Sequence, residues 1–247
     1  MAQQNAWDDL QDAAKNFVGE FSESVDQLGL VSFQLRGTNR FTLARPFKTT
    51  IKSKINAMQS FGDTNTGEGL KLAYNQLTGG SVRPESIRVV VFFTDGRPTA
   101  FRGNIGGQDR MMAVYVKRYN GQIHGYFNNP DQLPTDRQAG ASGCEGKTFC
   151  MGWTEPTIRN QSKAYGLQRA NEIRADGIHI FSIGLGNVDA SDPLLSPDMD
   201  YLRQIANEDG VTSASQPQGK AYFAPTADEL DDVFRAVAED IVVRLTE

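Results

Sequence analysis

Five consecutive apolar residues, "VVVFF" (Val89 to Phe93), run straight into Thr94, Asp95 and Gly96. A second run of this kind, "IHIFSIGLG", begins at Ile178. A strand with one face in water alternates apolar and polar residues, so a run without alternation has both faces covered. Segments of helical period lie between such runs. The pattern predicts an α/β doubly wound, Rossmann-like, mostly parallel sheet with helices on both faces.

The rest of the chain follows that rhythm. Trp7, Leu10, Ala14, Phe17, Phe21, Val25 and Leu28 step by three or four residues, one stripe of a first helix. "LGLVSFQL" and "FTLARPF" read as an antiparallel hairpin turned by "RGTNR". Ile51, Ile55 and Met58 mark a second helix. The polar loop "GDTNTGEG" enters a third, with Leu70, Ala73 and Leu77 inward and Gly79-Gly80 as its stop. Residues 97–155 break the alternation and read as an insertion within a single domain spanning 1–247. In it "MAVYVKRYNGQIHGYF" predicts a hairpin turned at Asn120-Gly121. A helix over 156–176 precedes the second apolar strand. Ser196 and Pro197 open a short helix that Gly210 ends, "KAYFAP" is a short strand, and Thr226 with Glu229 forms a capping box for the last helix.

The net charge is −5 and no basic run stands out, which argues against nucleic acid as a partner. The longest apolar run is too short to span a bilayer, and no signal-peptide pattern follows the first residue. Cys144 and Cys150, in the Gly-rich "GCEGKTFCMGW", suit a local disulfide, with two free thiols as the other reading. A disulfide implies an oxidising compartment. A zinc site needs more ligands, and His124 and His179 are not placed to supply them.

In open α/β sheets, ligands bind beyond the carboxyl ends of the strands, where Asp95 stands. Thr64 or Thr66 can bring a hydroxyl to the same place. Carboxylate plus hydroxyl is a hard-oxygen set suited to Mg²⁺, Mn²⁺ or Ca²⁺. The plainer readings are an Asp-Gly turn for Asp95 and a helix cap for Thr64.

"DQLGLVSF", "GDTNTGEGLKLA", "VVVFFTDGRPT" and "IHIFSIGLG" stand in the order and spacing of a von Willebrand factor A-type domain, and the chain resembles that family nearly throughout. The resemblance implies a metal-ion-dependent adhesion site. Thr64 would offer its hydroxyl to Mg²⁺, Mn²⁺ or Ca²⁺, Asp95 would act through a water, and an acidic residue of a partner protein would fill the open position. The family's first motif, Asp-x-Ser-x-Ser at the end of the first strand, has no counterpart; "DASD" (Asp189 to Asp192) follows a late strand instead. The expectation is a chain that starts one residue after that motif, Met1 being the methionine that commonly follows it. The central first strand is then missing, stability is low and metal binding weak or absent.

The insertion, its cysteines and the ending "AYFAPTADELDDVFRAVAEDI" resemble the TadG-like proteins of bacterial Tad-type (Flp) pilus assembly. This implies a protein-binding, adhesion-type module at the cell envelope, on its periplasmic or extracellular face. Membrane attachment would come only through an N-terminal anchor that this sequence does not contain. The hairpin would rim the metal site, and Tyr115, Tyr119, Tyr126 and Phe127 favour an interaction surface there. The alternatives are a Mg²⁺-dependent hydrolase such as a phosphatase and a structural envelope subunit with a vestigial site. Against an enzyme, Asp95 is followed by Gly96 and Arg97 and not by a second acid two residues on. No nucleophile elbow or phosphate loop occurs, and His179 reads as a packed core residue.

Overall fold

The computed structural model describes residues 2–60, 62–114, 123–133, 141–186 and 197–244. Its body alternates strands and helices: α1 (Ala2–Glu20), β1 (Leu28–Phe33), β2 (Gly37–Ala44), α2 (Lys48–Asn56), α3 (Thr66–Leu77) and β3 (Val89–Thr94). After an intervening three-stranded sheet come α4 (Glu155–Ala175), β7 (His179–Leu185), α5 (Met199–Ala206), β8 (Ala221–Ala224) and α6 (Leu230–Arg244). Strands β3, β7 and β8 form a parallel sheet in that order.

The unbroken apolar strands divide their side chains between two cores. Val90, Phe92 and Ile180 pack with Leu70, Ala170, Ile173, Leu202 and Ile205 of α3, α4 and α5. Val89, Val91, Phe93, Phe181 and Ile183 face Ala13, Leu230, Phe234 and Val237 of α1 and α6. The period of two thus survives with both faces apolar, the condition for a sheet sandwiched between helices.

Among the described residues, the antiparallel hairpin β1–β2 hydrogen-bonds to no other strand, and β3 has only β7 as a neighbour. Gln27 near the start of β1 donates to the Ser81 carbonyl, ahead of β3. At the other end Gln34 accepts from the Asn65 N–H, beside the carboxyl end of β3. The two strands therefore run in the same sense. Between them lies a cavity of about 1370 Å³ walled by Leu28–Phe33 on one side and Val89–Asp95 on the other, with α1, α3 and α6 covering its faces. A six-residue strand fills a slab roughly 20 Å by 5 Å by 10 Å, or about 1000 Å³. The cavity is a strand-sized slot between two unpaired edges.

Residues 97–155 build an antiparallel sheet of β4 (Ala100–Ile105), β5 (Gln108–Val114) and β6 (Ile123–Asn128), closed by a disulfide between Cys144 and Cys150 whose Cα atoms are 5.6 Å apart. Strand β4 is an element the sequence pattern does not announce, because "AFRGNI" carries neither alternation nor β-branched runs. The Asn120-Gly121 turn lies outside the described residues, as do "DASD", Tyr115 and Tyr119.

Several local expectations are corrected. Tyr126 and Phe127 are 7% and 2% exposed and belong to the core of this sheet, not to a surface. The α1 stripe ends at Phe21, since Val25 lies beyond the helix and is exposed. The hairpin turns at residues 34–36, because Gly37, Thr38 and Asn39 already pair with β1. The cap of α5 is Asp198, whose carboxylate accepts from the Tyr201 N–H, and Asn207 in the left-handed region ends that helix before Gly210. His179 starts β7 half-buried, its Nδ1 3.1 Å from the Gln218 carbonyl, and is not a packed core residue.

Arg174 of α4 is 2% exposed. Its guanidinium donates to the Gln204 and Ile205 carbonyls, Thr212 Oγ1 and Gln216 Oε1, so a charged side chain organises the loop between α5 and β8. None of these acceptors is a carboxylate, and burial pulls its pKa down to about 10.

Candidate metal centre

Asp95 and Thr64 reach the same end of the sheet by different routes. Asp95 follows the last residue of β3, so its position is set by strand length. Thr64 precedes α3 and is held by its neighbour: Asn65, fully buried, donates Nδ2 to the Leu35 carbonyl (2.9 Å) and its N–H to the Gln34 carbonyl (2.8 Å). Asn65 also caps α3, accepting from the Glu68 N–H. The helix cap is therefore Asn65 and not Thr64, whose hydroxyl is left free of that duty.

Thr64 Oγ1 lies 4.0 Å from the point where a Cβ on Gly96 would sit, which puts it beside the Asp95-Gly96 peptide. Thr66 is elsewhere: its methyl packs toward Gly166 of α4. Asp63, Thr64 and Asp95 all line the end of the slot. Asp95 is reached by solvent there, yet is crowded by protein on its other sides. That crowding lifts its carboxyl above the usual range, and its own backbone N–H pulls the other way.

The raised pKa has a sign that can be tested. A carboxyl that holds its proton more tightly folded than unfolded contributes stability that is lost as pH rises from the unfolded value through the folded one. Stability of the metal-free chain should fall as pH rises above the ordinary aspartate value, and Asp95→Asn should flatten the fall. Urea midpoints across pH 3.5–7 check this; parallel profiles for parent and variant would refute it.

Nearby, Asp198 forms ion pairs with Lys163 and, at 3.7 Å, with Arg97. Burial pushes its carboxyl up, but Lys163, the Tyr201 N–H and Arg97 together hold it below the usual range. A cation therefore serves Asp198, whereas none of the causes acting on Asp95 is a positive charge.

A threonine hydroxyl and a carboxylate suit a hard divalent cation in kind. They fall short in number: among the described residues no group of three His, Cys, Asp or Glu side chains is placed to hold a metal. Thr64 and Asp95 by themselves do not make up a metal site.

Sequence reasoning missed Thr99. It is 2% exposed; its Oγ1 accepts from the Thr64 N–H (2.7 Å), and its own N–H donates to the Thr64 carbonyl (2.9 Å). It also missed Glu68, buried in the first turn of α3, where it accepts from Tyr165 OH (2.7 Å) and lies 3.6 Å from Arg102 of β4. A short hydroxyl side chain acting on backbone, and a buried acid at a helix start, leave no periodic trace.

The von Willebrand factor type A domain model matches residues 1–120, somewhat under half of the 247. No curated protein matches the sequence. Solved structures share the fold at low identity. The vWF domain of a type V pilus tip protein from Porphyromonas gingivalis aligns with a TM-score of 0.61 and 16% identity, over 98% of this chain and 90% of that one. The pilus adhesin SpaC from Lactobacillus rhamnosus GG gives 0.60 and 15%, over 96% and 28%. Proximal thread matrix protein 1 from the mussel byssus, with a zinc-occupied MIDAS motif, gives 0.55 and 19%, over 95% and 42%. The chain thus spans well under half the length of the adhesin and of the mussel protein.

Proposed function

We propose that the chain is a von Willebrand factor A-type protein-binding domain of the adhesion class, whose metal site has Thr64 and Asp95 as two of its corners. The observation that carries this is the convergence of Thr64 on the Asp95-Gly96 strand end, at the mouth of a strand-sized slot. The slot is where a further strand, bearing Asp-x-Ser-x-Ser at its carboxyl end, would deliver the missing hydroxyls and carboxylate. The start of α1 agrees: Trp7 Nε1 donates to the Met58 carbonyl, a few residues before Thr64, so α1 begins at the same end of the sheet. A strand leaving the slot there can enter α1 directly, and the crossover to β1 follows.

When bound, the cation would supply an electron-poor centre that accepts a carboxylate. Thr64 and Asp95 would orient and hold it; the partner contributes a glutamate or aspartate. The likeness to pilus tip and adhesin domains supports a place in pilus assembly at the bacterial envelope, on its periplasmic or outer face, in a TadG-like protein. No helix among the described residues is long and apolar enough to cross a membrane. Binding is favoured over hydrolysis because Asp95 is followed by Gly96 and Arg97, and Arg97 turns to Asp198.

The test is a pull-down from envelope extract, using the chain extended ahead of α1 by such a strand. A partner retained in Mg²⁺ and lost in EDTA, and lost on Thr64→Ala or Asp95→Ala with the fold intact, is expected. Retention that ignores both chelator and substitutions would overturn the reading.

A further inference from the structure

We infer that Thr99 is a positioning residue for Thr64, and that through it the β4–β5–β6 sheet sets the geometry of the candidate metal centre. The inference rests on Thr64 being a metal corner, and one arm of its test does not depend on that reading.

Thr64 is gripped from both sides of its peptide. The Thr99 hydroxyl accepts from the Thr64 N–H at 2.7 Å, and the Thr99 N–H donates to the Thr64 carbonyl at 2.9 Å. The Ala100 N–H approaches the same carbonyl at 3.4 Å. Thr99 is itself fixed by the sheet that follows it, its carbonyl accepting from the Val114 N–H of β5 at 3.0 Å. Three residues further along β4, Arg102 stands 3.6 Å from Glu68 of α3. Strand β4 thus holds the threonine loop at Thr64 and the helix it leads into at Glu68. The opposite flank of the loop is tied by Asn65 to Gln34 and Leu35, at the end of β1. Thr64 is suspended between two sheets, and its distance from Asp95 follows from where β4 sits. A threonine suits the task because one side chain offers an acceptor at Oγ1 while its backbone donates.

Thr99→Val keeps the shape and removes the acceptor, and Thr99→Ser restores it. Two readouts by NMR on the whole chain decide the matter. Amide exchange at Thr64 should quicken about tenfold in Thr99→Val and return in Thr99→Ser, with β3 and β7 amides unmoved. In the chain extended by a strand ahead of α1, paramagnetic broadening of Thr64 and Asp95 by Mn²⁺ should need about fivefold more Mn²⁺ in Thr99→Val, again rescued by Thr99→Ser. Unchanged exchange and an unchanged Mn²⁺ titration in Thr99→Val would overturn the inference, and so would a Thr99→Ser variant as impaired as Thr99→Val. If Mn²⁺ fails to broaden these residues in the strand-extended parent, the metal reading falls, and the exchange arm, read on the chain itself, still decides whether Thr99 holds Thr64.

Discussion

A version of the chain carrying one more apolar strand ahead of α1, ending in Asp-x-Ser-x-Ser, should unfold at least about 5 kcal/mol later than the chain itself, a rise of roughly 10–20 °C in Tm for a domain of this size. The physical basis is the slot. Among the described residues, strands β1 and β3 each leave one edge without a strand partner, and each buried backbone group left unpaired costs on the order of 1–3 kcal/mol. Wetting of the cavity softens that cost but leaves Leu28, Leu30, Val91 and Phe93 against water, forfeiting about 25 cal/mol per Å² of apolar surface. A domain is stable by only about 5–15 kcal/mol, so the deficit is a large share of the whole. The extended version should also gain micromolar Mg²⁺ affinity, where the chain itself shows none by calorimetry. Exposed edges make the chain prone to associate through them. A reversible, cooperative transition of the unextended chain at an ordinary Tm, with β1 and β3 amides as protected as those of β7, would refute the prediction. Equal Tm values for the two versions would do so as well.

Arg174→Met should destabilise the chain by about 1–3 kcal/mol, the cost typical of leaving buried acceptors without their donor. Methionine keeps the length of the stem and removes every donor. The Gln204 and Ile205 carbonyls, Thr212 and Gln216 then stay buried without the hydrogen bonds they now accept. Since these acceptors belong to the end of α5 and to the loop that leads from it into β8, the parallel sheet should loosen at its β8 edge first. Denaturant unfolding read by fluorescence, with exchange at Ala221–Ala224 as the local reporter, checks both parts. A loss under about 1 kcal/mol would show that the charge contributes little beyond its stem.

How far the sequence carried depends on the kind of interaction. Strands β3 and β7 were legible because packing on both faces keeps most of their positions apolar. Helix α3 was legible because its inner positions Leu70, Ala73 and Leu77 repeat at helical spacing. What was lost has a common cause: residues working through single hydrogen bonds leave no period. Arg174 reads as a solvated charge on a helix. Thr99 reads as part of a loop. Asn65 sits between two threonines that draw the attention. Tyr126 and Phe127 were assigned to a surface because the small core of the β4–β5–β6 sheet, with Phe101, Met112 and Ile158, arises only when distant segments meet. Ser196-Pro197 and Asp198 offer rival caps two residues apart, and local preference alone does not choose between them. Of the candidate site, Thr64 and Asp95 were placed by resemblance, and the structure brings both to one end of the sheet.

The double-faced packing of β3 and β7 also bears on how this chain can vary. Val90, Phe92 and Ile180 answer to α3, α4 and α5, and Val89, Val91, Phe93, Phe181 and Ile183 to α1 and α6. No position in the two strands is spare, so neither can drift without a matching change in a helix on one side or the other. Divergence among descendants of this sequence is thereby channelled outward, into the β4–β5–β6 sheet and the loops at the carboxyl ends of the strands. Those are the parts that a partner would meet, so the rigidity of the inner strands leaves recognition free to change while the frame beneath it is inherited intact.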